Sequence, residues 1–135
     1  SDIKFSYRGC NLDNSLIFIS ATFKGKNDSN LNIRKKINNL IEKKKRDQPS
    51  KIKTCGSTFK NPKNNKAWSL IKNSGCAGMK IGDAHISEKH CNFFVNKGNA
   101  KSQDLENLIN QVKNKVLDET GIKLELELEI IGKKL

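Results

Sequence analysis

The stretch Cys55-Gly-Ser-Thr-Phe-Lys-Asn-Pro62 sets a thiol, a glycine, two hydroxyls, a cation and an amide around one phenylalanine. Each type has a use beside a ligand. Gly56 permits backbone geometry or close approach that other residues forbid. Ser57 and Thr58 supply hydroxyls, Lys60 a charge, Asn61 a two-faced amide, and Pro62 stiffens the exit. Such a loop suits a phosphorylated or sugar ligand. The same composition also makes an ordinary polar turn, and the residue types alone leave both readings open.

Other reactive residues are less suggestively placed. His85 and His90 are five apart, whereas a metal pair on a helix wants four, so no metal site is expected. His90 and Cys91 are neighbours, which in a strand directs their side chains apart and disfavours a nucleophile pair. Gly75, Gly78 and Gly82 do not follow a strand and open a helix, which excludes a dinucleotide phosphate loop. Cys10, Cys55, Cys76 and Cys91 form no closely spaced pair that could begin a zinc site. Glu127 is the middle one of three alternating glutamates, Glu125, Glu127 and Glu129, and on chemistry alone it is solvated.

The chain has 135 residues and a formal net charge of +12, one domain's worth with a modest hydrophobic core. Phosphate neutralisation is the generic use of so basic a surface, which makes a small nucleic-acid-binding module one reading. Against it, 23 of the cations are Lys and only 3 are Arg, while bidentate contacts to phosphate and guanine favour Arg. With 17 Asn as well, the surface reads as the product of A-rich codons. No apolar run approaches the roughly 20 residues that span a bilayer. The opening Ser1-Asp2-Ile3-Lys4 is no signal peptide, lacks an initiator Met, and reads as a chain entered midway. Free thiols in a reducing cytoplasm are expected.

The elements that must position these residues follow from periodicity. Ser15 to Gly25 is an apolar, β-branched run and reads as a strand, with Ile3, Phe5 and Tyr7 alternating in a segment placed beside it. Asp28 or Ser29 offers a cap for a helix carrying Ile33, Ile37, Leu40 and Ile41 and ending in Lys43 to Arg46. Ala67, Leu70 and Ile71 mark a short helix stopped by Gly75, and Phe93 to Val95 a buried strand. Ser102 is placed as the cap of a long helix with Leu105, Leu108, Ile109, Val112 and Val116 on one stripe, ended by Gly121. From Ile122 to Ile130 strict alternation predicts a half-buried strand, with Lys123 and the three glutamates outward. Strands and helices mix without regular βαβ alternation, so the fold class is α+β.

Three blocks in this order, "CGSTFKNP", the run from Ala67 to Ile109 and "GIKLELELEIIG", resemble the C-terminal part of the UDP-N-acetylenolpyruvoylglucosamine reductases. "FSYRGCN" near the start resembles that family's Tyr-Arg segment. The resemblance implies an oxidoreductase in which NADPH reduces a bound FAD. The flavin then passes hydride to the enolpyruvyl group of UDP-N-acetylglucosamine enolpyruvate, giving UDP-N-acetylmuramate for bacterial peptidoglycan in the cytoplasm. It implies Ser57 as proton donor and Glu127 as the second catalytic group. Gly56, Lys60, Asn61 and His90 become substrate-binding residues. By the same resemblance residues 1–46 end a flavin-binding region, and 47–135 form the substrate-binding domain. The flavin-binding half, the partner of this chain and the source of most FAD contacts and of the catalytic arginine, is placed upstream. The short interval between "SYRG" and the serine motif resembles the subclass without a tyrosine-bearing loop. Competing readings are the nucleic-acid module and a flavoprotein acting on another acceptor.

Overall fold

The computed structural model describes residues 3–13 and 15–132, so the opening Ser1-Asp2 lies outside it. The fold is α+β. A small hairpin pairs β1 (Phe5–Ser6) with β2 (Gly9–Cys10) across a turn at Tyr7 and Arg8. Helix α1 (Asn30–Asp47) follows, then β3 (Lys53–Ser57), helix α2 (Ala67–Asn73), β4 (Lys80–Ile81), β5 (Ala84–Ile86), β6 (Phe93–Asn96) and helix α3 (Ser102–Thr120). The four later strands form one antiparallel sheet in the order β3-β6-β5-β4.

The core lies between this sheet and α3. The predicted stripe is the buried one, with Leu108, Val112 and Val116 fully enclosed against Ile86, Phe94 and, from α2, Ile71. Helix α3 ends where predicted, at Gly121, whose φ of 68° lets the backbone turn left-handed. Its start differs from expectation. The N-cap is Lys101, whose N–H donates to the Asp104 carboxylate at 2.9 Å, while the Ser102 hydroxyl lies inside the helix and donates to Glu106. A carboxylate one turn in can satisfy the orphan N–H as well as a hydroxyl at the cap, and suits the positive helix end.

Two predicted strands are corrected. Ser15 to Gly25 pairs with nothing among the described residues, and the segment Ile3 to Tyr7 closes on Gly9 and Cys10 instead. Ile17, Phe18, Ile19 and Phe23 stand exposed. A strand needs a neighbouring ladder for its backbone groups, and composition does not supply one. Ile122 to Ile130 keeps its alternation, with Leu124 buried, Leu126 and Leu128 partly so and the odd positions exposed. It touches the serine loop through a single antiparallel bridge, Phe59 with Leu126, and forms no longer ladder.

Helix α1 forms as expected. Ser29 accepts from the Asn32 N–H, and Asp28 is bonded by Ser29, Asn32 and Lys36. These contacts hold the Asp28 carboxyl below its usual pKa, the Lys36 ammonium first among them. Yet α1 buries none of its residues.

Candidate active site

The serine loop is built on a bulge. β3 pairs Thr54 with Val95 and Ser57 with Phe93, so three steps on one strand oppose two on the other. The extra residue is absorbed at Gly56, whose φ is 87°, a conformation that costs any L side chain. The positive φ, not crowding, requires glycine there, because an added Cβ would meet nothing within 4 Å. The open space leaves the backbone at Gly56 accessible to a ligand.

Beyond the bulge the chain is held rigidly. The Thr58 N–H donates to the Asn92 carbonyl at 2.8 Å. The Asn92 side chain then grips Phe59 from both sides, accepting from its N–H at 2.9 Å and donating to its carbonyl at 2.8 Å. Asn92 is buried, so this two-point clasp works where water does not compete. The Phe59 ring is buried too, edge-on to Phe94 at 5.9 Å. Asn92 is the structural residue that sequence reasoning missed. Its only signal was an amide immediately before the buried strand that begins at Phe93.

Glu127 meets this loop across the bridge. Its N–H donates to the Thr58 carbonyl at 2.9 Å, and the Lys60 N–H donates to the Glu125 carbonyl at 2.9 Å. Glu127 therefore sits across the chain from Thr58, next in sequence to Ser57. Its carboxylate is ion-paired with the guanidinium of Arg8, which also lies 4.7 Å over the Tyr7 ring. Arg8 occupies the hairpin turn with φ of 59°, rare for a residue with a Cβ. The resemblance placed the family's arginine upstream; the guanidinium that pairs with Glu127 is this chain's own Arg8. Its signal was the Tyr-Arg pair in "FSYRGCN".

Beside this pair is a polar cleft of about 400 Å3, lined by Tyr7, Arg8, Lys60, Asn61, Pro62, Lys63, Lys123 and Glu125. Lys60 and Asn61 thus face the same cleft as Arg8, the partner of Glu127, while Ser57 and Glu127 themselves are not among its lining residues. Asn61 has a structural duty as well: its side-chain oxygen accepts from the Ala67 N–H at 3.0 Å and caps α2. His90 is elsewhere. It packs between Phe93, 4.8 Å away, and Trp68, 6.3 Å away, and lines neither this cleft nor the larger groove beside β3. Burial pushes its imidazole pKa below the usual value, the nearby Asp47 carboxylate partly offsetting this. Burial likewise pushes the Cys76 and Cys91 thiols up, as expected of inert core cysteines. Among the described residues no cluster of three or more His, Cys, Asp or Glu side chains could hold a metal.

The sequence profile of the family described as UDP-N-acetylenolpyruvoylglucosamine reductase, C-terminal domain, matches residues 48–131. The chain belongs to this family. Reductases of that name from Wolbachia sp. subsp. Drosophila simulans and from Pelagibacter ubique are 47% and 48% identical to it. Each of these alignments covers 97% of this chain and 44% of the relative. The crystal structure of UDP-N-acetylenolpyruvylglucosamine reductase from Thermus caldophilus superposes with a TM-score of 0.77 at 34% identity, over 94% of this chain and 45% of that one. The chain therefore spans less than half the length of the curated relatives it matches. These likenesses support the reductase reading and not the nucleic-acid module. No helix among the described residues is long and apolar enough to cross a membrane.

Proposed function

We propose that this chain is the substrate-binding and proton-donating part of a flavin-dependent reductase. Its substrate is UDP-N-acetylglucosamine enolpyruvate and its product UDP-N-acetylmuramate, made in the cytoplasm for peptidoglycan. One observation supports the reading: the bulge at Gly56 immediately precedes Ser57, and Glu127, ion-paired with Arg8, is bonded through its N–H to the carbonyl of Thr58, the residue that follows Ser57. FAD, reduced by NADPH and held mainly by a preceding domain, supplies the hydride when bound. The residues present fit such a group, since the backbone at Gly56 is open to close approach.

This chain's own residues then do three things. Lys60 and Asn61 hold the nucleotide sugar in the polar cleft, with the rigid Phe59 anchor fixing their approach. The Ser57 hydroxyl delivers a proton to the carbon that becomes electron-rich after hydride arrives. A hydroxyl is a weak acid, so it must be positioned where negative charge develops, with a cation close by. Arg8 supplies that positive charge, and Glu127 fixes its guanidinium through the ion pair. Gly56 lets the backbone approach. The role first given to His90 becomes indirect, a support beneath Phe93 on the strand facing Ser57. Residues 1–46 are read as the end of the flavin-binding region, because the exposed apolar run and α1 need a covering partner.

The test separates two half-reactions in the full-length enzyme by rapid mixing. Ser57→Ala leaves flavin reduction by NADPH almost intact and slows reoxidation by the enolpyruvyl substrate about 10²- to 10⁴-fold, the range for a positioned general acid. An unchanged reoxidation rate removes Ser57 as donor.

A further inference from the structure

Ser57 stands between a loose joint and a tight one. On its N-terminal side the bulge at Gly56 interrupts the ladder, and a glycine restrains the chain least of all residues. The Ser57 hydroxyl makes no hydrogen bond among the described residues. Its place is therefore set by the backbone that follows, from Thr58 to Lys60.

That backbone is supported from two sides. Toward the C-terminal segment, the Thr58 carbonyl accepts from the Glu127 N–H, and the Lys60 N–H donates to the Glu125 carbonyl. Toward β6 the strand runs out. The Thr58 N–H still reaches the Asn92 carbonyl, but before Phe93 the chain is in a turn, with the Phe93 N–H donating to the His90 carbonyl at 2.9 Å. The next pair of groups, the Phe59 N–H and carbonyl, meets a side chain instead of a strand. Asn92 Oδ1 accepts from the first and Asn92 Nδ2 donates to the second. A side-chain amide carries the same acceptor and donor as a peptide unit, so Asn92 replaces one missing rung of the ladder. Asp lacks the donor and Leu lacks both groups. Phe59 and Asn92 are buried, so water does not stand in for either bond.

We propose that Asn92 is a positioning residue for proton transfer: its amide extends the ladder one rung past the end of β6 and so fixes the Ser57 hydroxyl against the reacting carbon. This role rests on the reading of Ser57 as proton donor. Asn92 lines neither the polar cleft nor the groove beside β3, so it acts through the loop and not on a ligand. Its loss falls on the chemical step and not on affinity.

Rapid mixing of the full-length holoenzyme tests this. Asn92→Ala should leave flavin reduction by NADPH near wild type. It should slow reoxidation at saturating enolpyruvyl substrate about 10²-fold, the scale of a misplacement of about 1 Å. Asn92→Asp keeps the acceptor for the Phe59 N–H and loses the donor, and should slow the same step about tenfold, the scale of one hydrogen bond. The substrate concentration for half-maximal reoxidation should stay unchanged in both. Ser57→Ala combined with Asn92→Ala should reoxidise hardly more slowly than Ser57→Ala alone, because an absent donor cannot be misplaced. A double variant in which the two losses multiply in full assigns Asn92 to packing alone and overturns the role. So does a loss confined to the half-saturating concentration, or flavin reduction abolished in both Asn92 variants. Normal reoxidation in Asn92→Ala beside slow reoxidation in Ser57→Ala sinks the positioning role and leaves the donor standing. Normal reoxidation in Ser57→Ala removes the donor, and the role of Asn92 with it.

Discussion

Two stretches of this chain carry similar apolar residues and treat them oppositely. From Phe59 to Leu124 most of the phenylalanines, leucines and valines are buried or partly buried, and Leu108, Val112 and Val116 lose all contact with water. From Phe5 to Ile41 the same residue types stay in the open. Ile19 is 96% exposed and Phe23 90%, and α1 turns Ile33, Ile37, Leu40 and Ile41 to solvent. Apolar patterning therefore specifies a face but not what covers it. Most helical stability in proteins comes from packing of an apolar face, and the 18-residue α1 buries none of its residues. The two stretches nevertheless meet. Arg8 reaches Glu127, and the Lys89 ammonium donates to the Lys45 carbonyl at the end of α1.

The sharpest way to break this contrast is to shorten one leucine in each region. Leu108→Ala removes a fully buried side chain and should cost about 2–5 kcal/mol, read from denaturant unfolding. Leu40→Ala in this 135-residue chain should cost less than about 0.5 kcal/mol, because Leu40 is 66% exposed. In the full-length protein the same Leu40→Ala change should become a core-like loss. If it stays negligible there, nothing covers α1 and the proposed domain division fails.

A second experiment asks whether the two stretches act together at the site. In full-length enzyme Glu127→Gln should reduce turnover about 10²-fold, the scale of losing one positioned charged group. Glu125→Gln, on the same face but without an arginine, should leave kcat near wild type. Arg8→Lys combined with Glu127→Gln should cost hardly more than either alone, since groups acting as a unit are not additive. Equal small effects at Glu125 and Glu127 would return Glu127 to plain solvation.

These residues also mark what was legible beforehand. The buried stripe and the end of α3 were readable because burial, periodicity and the Gly121 stop all agree at one level of structure, whereas its cap fell on Lys101 and not on Ser102. The glycine demand at Gly56 was readable from residue type. The Ser15 to Gly25 strand was not, because a ladder depends on a neighbour that a single segment cannot announce. Asn92 escaped because an asparagine clasp is a tertiary contact across 33 residues. Arg8 escaped because turn residues joining distant segments carry no periodicity at all. Glu127 stood out from Glu125 through family resemblance, and the ion pair is the physical difference between them.

The smallest effect concerns where the two stretches touch beneath the site. His90 lies packed on Phe93 and Trp68 and feels Asp47, the last residue of α1. Burial lowers its pKa in the folded state, the carboxylate opposing the shift. The unfolded chain then binds a proton at His90 more readily than the folded one, so protonation favours unfolding. The stabilising effect of keeping the imidazole neutral is complete above the ordinary value near 6.5, is lost as pH falls through it, and levels off below the folded pKa. Denaturant unfolding between pH 8 and pH 5 should therefore show a modest loss of stability in the wild-type chain. His90→Gln should flatten that slope, and Asp47→Asn should steepen it by removing the opposing charge. A slope that survives His90→Gln unchanged would assign the titration to other groups and leave the contact between α1 and the aromatic support without a role in the acid response.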